Sequence, residues 1–157
     1  MVFTLTSPVF AHNGEIPILY TCEGEDIPPP LRWTGVPPEA KSLVLIVDDP
    51  DAPDPAHPKM TWLHWVLYNL PAELSGLAEG ISRLPGTSVT GVNSWNRHNY
   101  GGPCPPIGRH RYFFKLYALD RLLDRLVPGS GEQVEAAMRG HVLSSTQIMG
   151  TYQKTRK

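Results

Sequence analysis

Seventeen prolines are strewn along the 157 residues, and with fourteen glycines they leave little room for long helices. They separate short apolar runs and build no low-complexity tract, the pattern of a loop-rich β domain more than of a disordered chain. Between the breakers, residues 43–47 form an unbroken run of leucine and β-branched side chains, too short for a helix. Such a run predicts a strand buried on both faces. Residues 61–70, rich in Trp, Val and Tyr, predict a second central strand closed by Pro71, and residues 112–119 a third. Residues 2–10 alternate until Pro8 disturbs them and predict an N-terminal strand. The triple proline at 28–30 must be extended and restricts that segment to an edge or a loop. Residues 86–108, crowded with Gly, Asn and Pro, predict a long ordered loop.

Helix is scarce and late. Ser130 with Gln133 makes a capping box, after which Val134, Met138, His141, Val142, Ser145 and Met149 recur at helical spacing. Gly140 weakens the middle of that helix, Gly150 is its natural stop, and residues 151–153 add a short closing strand. His141 falls on the apolar stripe and reads as a packed residue. The expected architecture is mainly β: a β-sandwich or twisted multi-strand sheet with one or two peripheral helices, as a single domain over residues 1–157.

A hydrophobic fraction of 41% can fill a core without metal or disulfide staples, and a net charge of −1 gives no general field for nucleic acid or an anionic membrane. An anionic partner must therefore be captured locally. The N-terminus lacks a basic region followed by a long apolar one, and no apolar stretch approaches the roughly 20 residues of a membrane-spanning helix. Neither a signal peptide nor integral membrane association is expected, and the cytoplasm is the default compartment. Cys22 and Cys104 lie far apart and fit no zinc spacing, so they read as free thiols, with a disulfide as the alternative. The basic residues Lys154, Arg156 and Lys157 are an ordinary terminus.

Three segments join rigid backbone to titratable side chains. The sequence from Asp48 to Pro53 leaves the buried 43–47 strand in a proline-stiffened loop, which suits either a binding site or an acidic turn. In Trp62-Leu63-His64-Trp65, strict alternation places His64 with Trp62 and Val66, and Leu63 and Trp65 on the other face. Taken alone, His64 reads as a core histidine with one hydrogen bond. The third segment, residues 101–112, holds Gly101, Gly102 and Gly108 among prolines and delivers His110 and Tyr112 to one strand face, with Arg109 and Arg111 opposite. Backbone N–H groups beside a histidine suit a phosphate or a carboxylate.

The segments DPDAP, WLHW and GPCPPIGRHRY, in this order, resemble those of the phosphatidylethanolamine-binding proteins, also called the Raf kinase inhibitor family. IPILYTCEGEDIPPPLRWTGVP, KSLVLIVDDPDAP and GHVLSSTQIMGTYQ are similar to its bacterial and archaeal YbhB/YbcL branch. The resemblance covers nearly the whole chain. It implies a large central sheet packed in a sandwich on a smaller one, with a few peripheral helices. It also implies a ligand pocket at Asp49, Pro53, Trp62, His64, Gly102, His110 and Tyr112. Where the eukaryotic loop has a doubled proline this chain has Pro103-Cys104, which gives Cys104 a pocket position.

The function so implied is non-enzymatic binding of a small anion of phosphate or carboxylate type, including phospholipid head groups, with no cofactor or metal. Imidazole N–H groups of His64 and His110, backbone amides of residues 102–108 and the Tyr112 hydroxyl would hold the anion. Asp49 would orient a histidine and favour its protonated form, so that binding tightens below about pH 6.5. Regulation of a kinase or protease is the role the family name suggests. The alternative is an acid–base or metal-dependent enzyme using Asp49, His64 and His110. Trp65 and Tyr68 fit either core packing or a homodimer contact.

Overall fold

The apolar run at 43–47 lies inside β3 (Ser42–Ala52), the middle strand of a five-stranded sheet in a computed structural model describing residues 2–155. Met1 and two residues of the basic terminus, Arg156 and Lys157, lie outside the described residues. On one side β3 pairs with β4 (Met60–Pro71), which pairs in turn with the two-residue β6 (Val89–Thr90) inside the long 86–108 loop. On the other side it pairs with β7 (His110–Leu119), which pairs with β8 (Val142–Tyr152). All four pairings are antiparallel. A second sheet has the order β1 (Thr4–Thr6), β2 (Leu31–Thr34), β5 (Gly76–Leu77).

β3 is apolar from Leu43 to Val47 because both its faces are covered there. Leu43, Leu45 and Val47 meet Leu5, Leu31, Trp33 and Leu77 of the small sheet in the main core. Val44 and Ile46 point the other way, toward the helix α1 (Gly131–Met138) and its Val134 and Met138. Each of these side chains, removed from water, contributes about 1.5–3 kcal/mol, which makes β3 the axis of the fold.

α1 starts at the predicted capping box: Ser130 Oγ accepts the Gln133 N–H at 3.2 Å, and Gln133 Oε1 accepts the Ser130 N–H at 3.1 Å. It ends far sooner than the spacing predicts. The chain turns through Gly140 at φ +79° and enters the strand β8, so Val142, Ser145 and Met149 belong to that strand. A helix there would leave the long edge of β7 unpaired, whereas residues 142–152 carry the Ser, Thr and β-branched side chains of a strand. His141 lies outside the helix, its Nδ1 within 2.9 Å of Asp120 Oδ1. Trp65 and Tyr68 are 3% and 0% exposed, so neither can form a contact between copies; both serve core packing.

β4 does not alternate strictly. Val47 pairs with Trp65 but Asp48 pairs with Leu63, so His64 is one residue too many, a β-bulge. Beyond the bulge the faces exchange: Trp65 and Leu67 enter the main core, and Val66 joins the helix side. The expectation that His64 shares a face with Val66, and Trp65 with Leu63, is corrected for this reason. A second irregularity falls at Asn69, whose φ is +57°. Its amide clasps Leu123 through Nδ2–H to the Leu123 carbonyl and Leu123 N–H to Oδ1, both 2.8 Å.

Candidate pocket at the end of the central strands

Where β3 leaves the core, three carboxylates each meet a basic partner on the neighbouring β7. Lys115 Nζ donates to Asp48 Oδ2 at 2.9 Å on the outer face, and Arg111 binds Asp51 through Nε and Nη2 at 3.0 and 2.9 Å. Between them Asp49 turns inward, its Oδ2 2.6 Å from His110 Nδ1. Fixed this way, the start of β7 and the end of β3 form the floor of a cavity of about 340 Å³. Its walls are Trp62 and Trp95 on one side and Pro53, Cys104, Pro105 and Pro106 on the other.

Asp49 and His110 are 3% and 0% exposed. Burial raises the Asp49 carboxyl above its ordinary range, and the hydrogen bond from His110 opposes that shift. The other Asp49 oxygen accepts the Asp51 N–H at 2.8 Å. His110 Nε2 faces the carbonyls of Ile107 at 2.8 Å and Pro53 at 3.1 Å. Both ring nitrogens thus face oxygen atoms of the protein. His110 has no free donor for a ligand and no free lone pair for a metal; it ties the two loops to the floor.

His64 differs. Its Nδ1–H donates to the Gly101 carbonyl at 2.7 Å, which leaves Nε2 as the bare nitrogen of the neutral ring. Burial lowers its pKa to about 4, outweighing the carbonyls of Gly101 and Gly102. Nε2 is buried without a hydrogen-bond partner, and so is the Tyr112 hydroxyl. The two rings stand edge to face with centroids 5.1 Å apart. Burial, with the nearby Asp49, raises the Tyr112 pKa, so the phenol keeps its proton.

Asp49, Pro53, Trp62, His64, Cys104, His110 and Tyr112 all line the cavity; Gly102 does not. A Cβ on Gly102 would lie 2.2 Å from the Tyr20 carbonyl oxygen, so the glycine serves the packing of the loop against residues 20–26. Its N–H donates to Asp26 Oδ1 at 2.7 Å. Three of residues 103–106 are prolines and have no N–H to give. The expected cradle of backbone amides is absent over that stretch.

Trp95 escaped the sequence reading. Its ring packs edge-on against His64 at 5.1 Å and Trp62 at 5.5 Å. The available signal is the Asn-Ser-Trp-Asn run in a loop: buried Asn93 accepts the N–H groups of Trp95 and Arg97 at 2.9 and 3.1 Å and holds the loop in place. Ser94 then bridges to β4 by accepting the Leu63 N–H at 2.8 Å. Ala52, Pro105 and Pro106 fall within the expected segments without having been singled out; Met60, outside them and 47% exposed, also lines the cavity.

The free-thiol expectation is corrected: Cys22 and Cys104 form a disulfide with Cα atoms 5.4 Å apart. Residues 18–26 fold back along the 100–104 backbone. The Tyr100 hydroxyl donates to the Tyr20 carbonyl at 2.7 Å, and the Cys22 N–H to the Pro103 carbonyl at 3.1 Å. Sequence separation carries no information about that approach.

A sandwich with such a cavity at the carboxyl end of its central strand has relatives. The family profile for phosphatidylethanolamine-binding protein matches residues 6–153, and the chain belongs to that family. A UPF0098 protein of Methanothermobacter thermautotrophicus is 52% identical over 154 residues, covering 96% of this chain and 98% of the relative. Among solved structures, the phosphatidylethanolamine-binding protein homologue CT736 of Chlamydia trachomatis superposes with a TM-score of 0.90 at 44% identity, covering 98% of each chain. YbcL of E. coli, a member of the mammalian family by its description, gives 0.86 at 30% identity, covering 98% of this chain and 99% of YbcL. Among the described residues no helix is long and apolar enough to cross a membrane.

Proposed function

We propose that the chain is a binding protein, not an enzyme, and that its pocket holds a small oxyanion of phosphate or carboxylate type. The observation that carries this reading is the pair of buried, unpartnered polar atoms, His64 Nε2 and the Tyr112 hydroxyl, on side chains lining one cavity. An unpaired buried polar group costs about 1–3 kcal/mol, and a ligand that satisfies both atoms recovers that cost. The tryptophans and prolines around them exclude water and strengthen each polar contact.

Asp49 acts here through His110, not on the ligand. The pair closes the floor and keeps a full negative charge away from the anion. The enzyme alternative has less support, because His110 has neither nitrogen free for proton transfer or metal binding. Among the described residues no nucleophilic Ser, free Cys or Lys lines the cavity.

Titration calorimetry with inorganic phosphate and with acetate tests the reading. Wild-type protein binds at least one of them with one site per chain. Tyr112→Phe, which removes a single hydroxyl, weakens binding about tenfold, the worth of one hydrogen bond to a charged group. Absence of heat and of any tyrosine fluorescence change with both anions at millimolar concentration overturns it.

A further inference from the structure

We infer that the pocket selects oxyacids that bring their own proton, and that the backbone carbonyl of Gly101 sets this selectivity by fixing the tautomer of His64. The inference rests on the anion-site reading above and deepens it. A carbonyl oxygen can only accept, so Nδ1 of His64 must hold the ring's one proton for the 2.7 Å contact to be a hydrogen bond. Nε2 is then a lone pair facing whatever fills the cavity. A ligand that offers only oxygen lone pairs sets acceptor against acceptor there, while the Tyr112 hydroxyl asks for the opposite, an acceptor.

The complementary ligand carries an X–OH beside an X–O⁻ on one centre. The OH donates to Nε2, the O⁻ accepts from Tyr112, and no covalent bond is made or broken. A phosphate monoester in its monoanionic form has this pair of groups, and its second pKa of about 6 keeps it available near neutrality. A sulfate monoester has the same size, shape and charge and no proton to give.

The charges around His64 agree. Asp49 of β3 and His110 of β7 are paired with each other, so together they present no net positive charge to a ligand. Tyr112 is neutral, and Asp26, behind the 101–102 backbone, is held by the Gly102 N–H. Cys104 is in a disulfide and does not titrate. Among the described residues neither Lys nor Arg lines the cavity, so a second negative charge on the ligand meets no lysine or arginine counter-ion from them. Recharging His64 is resisted by burial, which holds its pKa near 4. The proton in the complex therefore comes with the ligand, and binding the dianion instead must draw one proton from solvent.

The experiment compares methyl phosphate with methyl sulfate at about pH 6, two units above the His64 pKa of about 4 and near the second pKa of the phosphate ester, by titration calorimetry on the full chain. Methyl phosphate binds about a hundredfold tighter, as expected when a buried polar group would otherwise stay unpaired. Between pH 6 and 8 its affinity falls about tenfold per unit, and the heat measured in two buffers reports uptake of one proton. His64→Gln, whose amide can donate as well as accept, narrows the preference to less than about tenfold. Equal affinity for the two esters overturns the inference and leaves the anion site standing. Failure of both to bind overturns the anion-site reading itself. If His64→Gln does not fold, the wild-type comparison and its proton count still decide.

Discussion

Removing the Cys22–Cys104 cross-link offers a direct test of how the pocket wall is held. The bridge joins residues 82 apart, so in the unfolded chain it closes a loop of that length. The chain-entropy relation gives about 4.5 kcal/mol of stabilisation for such a loop. With a urea slope of about 2 kcal/mol/M, the double variant Cys22→Ser/Cys104→Ser should unfold about 2 M earlier than the oxidised protein. Its melting temperature should fall by roughly 9–18 °C, using 2–4 °C per kcal/mol for a chain of this size. Cys22 is exposed, so its serine removes little packing, and Cys104 is half-buried at the cavity wall. Wild-type protein in excess dithiothreitol provides the matching control, since reduction removes the bond and keeps the sulfur atoms. The readout is far-UV circular dichroism against urea, with thiol alkylation and mass measurement to count free cysteines. A midpoint that moves by less than about 0.5 M in both variant and reduced protein refutes the reasoning. It would mean that hydrogen bonds such as Cys22 N–H to Pro103 and Tyr100 to Tyr20 already hold the segments together, even in the unfolded ensemble.

Asp49→Ala leaves His110 buried beside an empty position, and urea unfolding should register a loss of about 3–5 kcal/mol; a loss below about 1 kcal/mol would remove the pair from its structural role. Stability should decline as the pH drops from 6.5 toward 4, because unfolded His64 takes up a proton that the folded ring, with its pKa near 4, refuses. The swing is up to about 3 kcal/mol. Asp48 and Asp49, raised by burial, pull the other way in acid, so the profile of His64→Gln must be subtracted; an unchanged difference across that window refutes the assignment. Gly102→Ala pushes a methyl group to 2.2 Å from the Tyr20 carbonyl oxygen and should lower the urea-derived stability by about 1–3 kcal/mol, with the loop displaced from residues 20–26. A neutral substitution there would show that the two segments separate without cost.

The large sheet was legible because its strands are buried on both faces or bounded by proline, and burial writes itself into composition at positions 43–47, 61–70 and 112–119. The predicted helix overran because Val142, Ser145 and Met149 match helical spacing by coincidence, and spacing alone does not reveal that β7 has an edge to fill. Within the pocket, Asp49, His64, His110 and Tyr112 could be found because rigid strands present them. Trp95 could not, since a loop aromatic gains its place from the amide of Asn93, a contact without periodicity. The division of labour between the histidines was hidden too. It depends on which oxygen each ring nitrogen meets, and that is decided by the Gly101 carbonyl 37 residues from His64 and by the Asp49 carboxylate 61 residues from His110.

The bulge in β4 has a consequence for how such a cavity can be gained or lost. Between Leu63 and Trp65 the strand carries one residue more than its partner, and that residue is His64. Were it excised, Leu63 and Trp65 would resume ordinary alternation opposite Asp48 and Val47, and the sheet would close smoothly over the gap. The unpartnered nitrogen of the proposed site therefore sits on the extra residue of the strand. Deletion of residue 64 is therefore expected to remove the unpartnered nitrogen together with the bulge that presents it.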